Sequence, residues 1–176
     1  QTLEHVQKTL SFDRNHDKLT RLINRGTIYD QIKRALRHSQ TKRSQHAVLY
    51  INIDNFHLVN EVYDRVVGDQ ILLEFARLLA QLHSKKSSSA RLDGDEFVVL
   101  LLDHTSEQAQ RVAAQICDDI SSGSVDIDGE NVSFTVSIGV AAIREHSSDV
   151  QEVTSAARSA MQRAKQAGRN RVVPYE

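Results

Sequence analysis

The sequence has no tryptophan, one cysteine, one proline, one methionine and seven glycines among its 176 residues. Cys117 stands alone, so an intrachain disulfide and a cysteine-rich metal site are both excluded. That fits a reducing compartment: a cytoplasmic protein, or the cytoplasmic part of a membrane-anchored one. No apolar run approaches the roughly 20 residues of a membrane helix, and no signal peptide opens the chain. Neither sign of charge is in excess. The formal net charge is -1, which removes any global electrostatic case for nucleic acid or an anionic membrane. There are no internal repeats and no low-complexity tracts. The first residue is Gln1 and the only methionine is Met161, so the chain reads as part of something longer.

What remains is an ordinary globular composition, 40% hydrophobic and 26% charged, long enough for one domain with a real core. "QTLEHVQKTLSFDRNHDKLT" reads as a polar helix with a thin stripe of Leu3, Val6 and Leu10. Residues 1–16 then form a connector, and 17–176 the domain. Asn24 is placed to cap a second helix whose inner face is Ile28, Ile32, Ala35 and Leu36. "QTKRSQH" reads as a solvated basic loop. "AVLYINIDNF" predicts a strand buried on both faces and ending near Asp54. A helix is predicted from Asp69 to His83, and "SKKSSS" after it reads as a loop. "ARL" and "FVVLLL" are strands joined by a "DGDE" hairpin turn. A further helix carries Ala109, Val112, Ala113, Ile116 and Ile120. Asp128-Gly129 marks a second turn, and a last helix from about Val150 to Ala167 stops at Gly168. Pro174 marks the end or the edge position of a short final strand. The order predicts an α/β (α+β) sandwich of ferredoxin-like, palm-type topology: one mixed sheet with helices packed on one face.

In that topology the first strand lies beside the hairpin at mid-sheet. Asn52 and Asp54 share a strand face, and Asp95 and Glu96 approach from the turn. Clustered oxygen donors at a strand end suit Mg²⁺ or Mn²⁺, with substrate phosphates completing the shell. Lys165 and Arg169, four residues apart at the end of a helix, could meet phosphate oxygens. The plainer reading is that the carboxylates are solvated turn residues and the two cations only complement a helix dipole.

Five ordered motifs separate these readings. "DKLTRLINR", "INIDNFHLVNEVYDRVVGD", "RLDGDEF", "FTVSIGVA" and "AMQRAKQAGRNRV" resemble, in order and spacing, the motifs of the GGDEF domain, the diguanylate cyclase domain of bacterial cyclic di-GMP signalling. The resemblance covers nearly everything from Asp17 to Tyr175. It implies a palm-like fold and a reaction in which two GTP molecules, one on each protomer of a homodimer, condense to cyclic di-GMP with Mg²⁺ or Mn²⁺. It makes Asp95 a metal ligand and Glu96 the acid that activates the 3′-hydroxyl. Gly94 becomes the close-approach glycine, and Asn60 with Asp69 the guanine-reading pair. Ile53 would offer a metal-binding carbonyl, Phe56 would pack beneath the phosphate loop, and Lys165 and Arg169 would bind the triphosphate.

Several positions depart from the family pattern. Asn52 replaces the first metal aspartate, giving one neutral oxygen for a charged ligand. His57 replaces a phosphate-touching lysine and is mostly neutral at pH 7. Asp93 replaces the first signature glycine and sets an anion near the phosphates. Arg65 stands where histidine is usual. Ser84 and Ser87 occupy the positions of an R-x-x-D product site, so product inhibition there is not expected. The expected function is therefore a degenerate domain that binds GTP with impaired cyclase activity and regulates an attached domain. "RVVPYE" reads as a junction to one, often an EAL phosphodiesterase in this family, with a sensor upstream. An active cyclase, with Asp54 or Mn²⁺ compensating for Asn52, is the alternative, and a dimerisation module that binds no nucleotide is a second.

Overall fold

Strand β1 (His46–Ile53) runs through the centre of the molecule, and all eight of its residues are buried in the computed structural model. Residues 2–82, 85–147 and 149–176 are described. β1 is flanked by β3 (Glu96–Leu101) on one side and β6 (Val136–Ile143) on the other, both antiparallel to it. β2 (Ser87–Asp93) and β7 (Arg171–Pro174) close the edges, giving a five-stranded sheet in the order β2-β3-β1-β6-β7. Only the β6–β7 pair is parallel, so the sheet is mixed. Pro174 does stand at an edge. β4 (Val125–Ile127) and β5 (Glu130–Val132) form a separate ribbon around Asp128-Gly129.

Both faces of the sheet are covered. Leu49, Ile51 and Ile53 of β1 join a core with α3 (Phe56–Val62), α4 (Arg65–Gln81) and α5 (Ser106–Ser121). Val48 and Tyr50 join a second core with α2 (Arg25–Lys42) and α6 (Val150–Gln166). The expectation of helices on one face is therefore wrong. An unbroken apolar strand leaves no polar side for water, so both sides need a cover.

Local signals explain most element ends. The Asn24 side chain accepts from the Thr27 amide, and Ile28, Ile32, Ala35 and Leu36 are buried as the spacing requires. Asp149 caps α6 in the same way, and Gly168 follows it at φ +127. Four expectations shift. α2 continues through Lys42, leaving a shorter loop than "QTKRSQH". α3 was not anticipated: its turn is short and its N-cap, Asn55, makes no side-chain cap. α4 begins at Arg65, capped by Asp64, ahead of the apolar stripe that starts at Ile71. It ends at Gln81; His83 lies outside the described residues. Ser87–Ser89 are strand, held against Val99–Leu101 of β3 despite low strand propensity. α1 (Leu3–Asn15) buries no residue. No helix among the described residues is long and apolar enough to cross a membrane.

α6 lies directly on β6. A Cβ at Gly139 would fall 2.0 Å from the Ala157 carbonyl oxygen and 2.3 Å from the Met161 amide nitrogen. These are backbone atoms, so the helix itself would have to lift. Gly139→Ala is expected to cost about 3 kcal/mol or more, read by urea unfolding. An unchanged midpoint would contradict this packing.

Candidate functional site

The chain leaves β1 at Asp54, whose side chain is 1% exposed. Its Oδ1 accepts from the Ser137 hydroxyl (2.7 Å). Its Oδ2 accepts from the Thr135 hydroxyl (2.7 Å) and the Asn170 amide (3.0 Å). Lys165 Nζ lies 3.7 Å from Oδ1. One carboxylate thus ties the end of β1 to the start of β6 and to the loop after α6. Both of its oxygens are already engaged within the fold. Burial and the Asp54 charge also push the nearby Cys117 thiol up to about 12.

The signature hairpin sits beside this strand end. Asp93 pairs with Glu96, so Gly94 and Asp95 are the two central turn residues. Gly94 has φ +51 and Asp95 has no positive φ, the pattern of a turn that takes glycine first. Nothing lies within 4 Å of a Cβ built on Gly94, so the positive φ, not crowding, requires glycine. The open space leaves this backbone approachable. A register shift between Arg91 and Asp93 bulges the strand at Leu92. The Asp95 carbonyl accepts from the Ile53 amide (3.2 Å) and the Asn52 side-chain amide (3.4 Å). The hairpin and β1 are therefore neighbours, as expected.

Arg91 locks this turn. Its Nε donates to the Gly94 carbonyl (2.9 Å), and its Nη1 reaches Asp17 Oδ2 at 3.2 Å. Asp17 also accepts from the Thr20 amide and hydroxyl, each at 2.8 Å. Burial works against its ionisation, but the Thr20 bonds and the Arg91 charge outweigh that and hold the Asp17 carboxyl below the ordinary 3.8. Nothing in the spacing of the two motifs pairs Arg91 with Asp17. Their shared polarity is the only signal, and 74 positions separate them.

Glu96 stands opposite Asn52, on the face that carries Tyr50. Its Oε2 accepts from the Tyr50 hydroxyl at 2.6 Å, and Arg158 Nε lies 3.9 Å from its Oε1. Burial, then the Glu96 bond and charge, raise the Tyr50 phenol far above its usual range. Neither Tyr50 nor Arg158 was singled out from sequence.

On the other side of the sheet, Phe56 is buried at the start of α3 and His57 beside it is exposed. A Cβ on Gly68 would fall 2.1 Å from the Asn60 amide oxygen. Asn60 therefore packs against α4 at Gly68, the residue before Asp69. Lys165 is in the last turn of α6, but Arg169 lies beyond the helix in left-handed backbone (φ +64). The two are not on adjacent helical turns. Gly168 releases the chain after Ala167, so the helical spacing does not carry through. Ser84 lies outside the described residues, and Ser87 is in β2. A groove of about 870 Å³ around Arg144, His146 and Tyr175 contains none of these residues.

Among the described residues, no three of His, Cys, Asp and Glu gather closely enough to hold a metal ion. The donors at hand are the Asp95 carboxylate, the Asn52 amide oxygen and the Ile53 carbonyl. That set fits a cation that arrives with a triphosphate, since Mg²⁺ keeps substrate oxygens and water in its shell. It supplies too little charge to hold one alone.

A mixed sheet of this order, with a carboxylate hairpin beside its central strand, defines a palm-type α/β domain. The profile of the family described as "Diguanylate cyclase, GGDEF domain" matches residues 14–171, and the chain belongs to that family. It is 32% identical over 169 residues to the probable diguanylate cyclase DgcE of Escherichia coli, covering 96% of this chain and 15% of that protein. It is 35% identical to the diguanylate cyclase TpbB of Pseudomonas aeruginosa, covering 95% and 39%. The chain thus spans well under half of these relatives. Its backbone is similar to the GGDEF domain of DgcB from Caulobacter crescentus, solved with c-di-GMP, at a TM-score of 0.88 and 25% identity over 93% and 94% of the two chains. Against the GGDEF domain of TpbB the TM-score is 0.87, with 33% identity over 92% and 94%.

Asp54→Asn leaves Lys165 beside a neutral partner and weakens three hydrogen bonds. It is expected to cost about 3 kcal/mol in urea unfolding, and a loss below about 1 kcal/mol would contradict the buried network. Asp17 gives a pH test. Its folded pKa lies below the unfolded value, so its contribution is complete above 3.8 and is lost as pH falls through the folded value. The destabilisation caused by Asp17→Asn should be largest at neutral pH and shrink below about pH 4. A pH-independent difference would refute the charged pairing.

Proposed function

We propose that the chain binds GTP at the end of β1, converts it to cyclic di-GMP poorly, and regulates an attached domain such as an EAL phosphodiesterase. In this reading Asn60 and Asp69 hold the guanine edge, where an amide and a carboxylate match its acceptors and donors. Lys165, Arg169 and His57 face the phosphates, and the backbone at Gly94 admits them closely. A bound Mg²⁺ or Mn²⁺ would offset phosphate charge and assist the attacking hydroxyl. Asp95, Asn52 and the Ile53 carbonyl are the residues that would hold it. The exposed stripe of Leu3, Val6 and Leu10 on α1 supports a connector role towards a sensor and a homodimer partner.

One observation carries the impaired-turnover reading: among the described residues, two acids that could serve a metal at the strand end, Asp54 and Glu96, are already engaged, which leaves Asp95 as the candidate ligand. Asp54 is consumed by its four partners, Asn52 is neutral, and Glu96 is held by Tyr50 and Arg158. Lys165, tied to Asp54, has less charge to offer a phosphate.

Calorimetry with GTP and Mg²⁺ should show binding, while chromatography of the incubated mixture shows little or no cyclic di-GMP. Clear turnover by the unaltered chain would sink this reading in favour of an active cyclase. Absence of binding would leave the dimerisation module. Asn52→Asp with His57→Lys and Asp93→Gly should gain cyclase activity. Gly68→Ala gives a separate check on the guanine site. The added methyl displaces the flexible Asn60 side chain, so GTP affinity should fall about ten-fold with little change in the unfolding midpoint. Unchanged affinity would remove Asn60 from the site.

A further inference from the structure

Glu96 points into a cavity of about 300 Å³ between α2 and α6, lined among others by Arg25, Tyr29, Tyr50, Thr154 and Arg158. Register gives its direction. Glu96 is opposite Asn52, while Tyr50 is two pairs deeper on the same face, opposite Val98. The 2.6 Å bond to the Tyr50 hydroxyl therefore draws the carboxylate back along the sheet, away from the strand end where Asp95 lies. Arg158 meets the other oxygen at 3.9 Å. Arg158 and Lys165 are seven residues apart on α6, two helical turns on one face. One helix therefore sets a cation against each of the two acids, Glu96 and Asp54.

We propose that Tyr50 and Arg158 form a restraint that turns the Glu96 carboxylate away from the reacting 3′-hydroxyl, making Arg158 a positioning residue that suppresses turnover. This rests on the GTP-site reading above and adds a fourth departure to Asn52, His57 and Asp93. A general base must come within hydrogen-bond reach of the proton it takes. A carboxylate drawn towards a phenol two residue pairs deeper in the sheet, with a guanidinium 3.9 Å from its other oxygen, is turned from that approach. Tyr50 is only 4% exposed, so the restraint is anchored inside the sheet rather than at its surface. The other polar groups of the cavity do not replace Arg158, since Arg25 Nη1 is turned to the Tyr29 hydroxyl at 3.2 Å.

The test uses the variant Asn52→Asp/His57→Lys/Asp93→Gly as parent. Adding Arg158→Gln should raise kcat about ten-fold and leave KM for GTP unchanged, because Arg158 does not touch the nucleotide. Arg158→Lys, which keeps the cation, should stay within about two-fold of the parent. An unchanged or lowered kcat in Arg158→Gln, with GTP still bound in calorimetry, overturns the proposal. A nucleotide-free arm is the double-mutant cycle of Arg158→Gln and Glu96→Gln in urea. It should show coupling of about two- to five-fold in the unfolding constant, and additive effects overturn the proposal whatever GTP does. Failure of the GTP reading has a different signature: no binding heat from any variant or from the unaltered chain.

Discussion

The buried carboxylate of Asp54 is the constraint from which the geometry of the strand end follows. A charge removed from water is tolerated only when its lone pairs are met. Here they are met by Thr135 and Ser137 at the start of β6, Asn170 beyond α6, and Lys165 within it. These groups come from three separate segments, so satisfying Asp54 fixes where β6 and the α6–β7 loop stand relative to β1. That in turn fixes the frame for Asn52 and Ile53 just upstream. Asn170 is in left-handed backbone at φ +48. A non-glycine residue holds that conformation only where its surroundings over-determine it, and the bond to Asp54 is one such determinant.

The hairpin is held independently. Arg91 crosses from β2 to Asp17, so the turn that carries Asp95 is braced against the segment that follows α1. A backbone bond from the Arg91 amide to the Ile23 carbonyl (3.1 Å) runs alongside. The candidate site thus lies between two electrostatic anchors, Asp54 and Arg91. Neither depends on a nucleotide for its partners. This is the arrangement expected of a preorganised site, whose supporting shell is fixed before the ligand arrives.

Much of this was legible in the sequence where the signal is local. Asn24 as a cap, the Ile28–Leu36 face, the hairpin and the stop at Gly168 each depend on residues within a turn or two of one another. The candidate site residues were legible through motif order, which encodes a fold already solved elsewhere. What was not legible depends on contacts without a spacing rule. Arg91 with Asp17, Arg158 with Glu96 and Lys165 with Asp54 are distant in sequence, and each residue alone looks like an ordinary surface charge. α3 escaped because a seven-residue helix offers too few turns for a period, and its left-handed cap carries no preferred side chain. The serines of β2 became a strand through pairing with β3, a tertiary effect that overrides propensity. Coverage of both sheet faces was implied by the apolar run of β1, and the ferredoxin-like template obscured it.

The altered positions have a common physical character. Catalysis requires interactions that strengthen as charge develops in the transition state, whereas interactions equal in both states only bind. In the proposed reading Asn52, His57 and Asp93 would alter the charge around the phosphates, and the contacts of Glu96 would act on the proton that must leave. All of these bear on developing charge. In the proposed reading Asn60 and Asp69 would face a base whose charge and hydrogen-bonding edge do not change during the reaction. They contribute equally to ground and transition states, and they are the positions left intact. A chain altered in this selective way loses acceleration before it loses affinity. Under the proposed function it would keep a conformational response to GTP, because any ligand that favours one arrangement of the domain shifts its population by that differential affinity. Occupancy of the β1 end could then be passed to a neighbour through α1 or the α6–β7 loop without product being made. The same asymmetry separates the readings in a way that sequence identity to active relatives does not, since overall identity weighs the positions that face developing charge no more than any others.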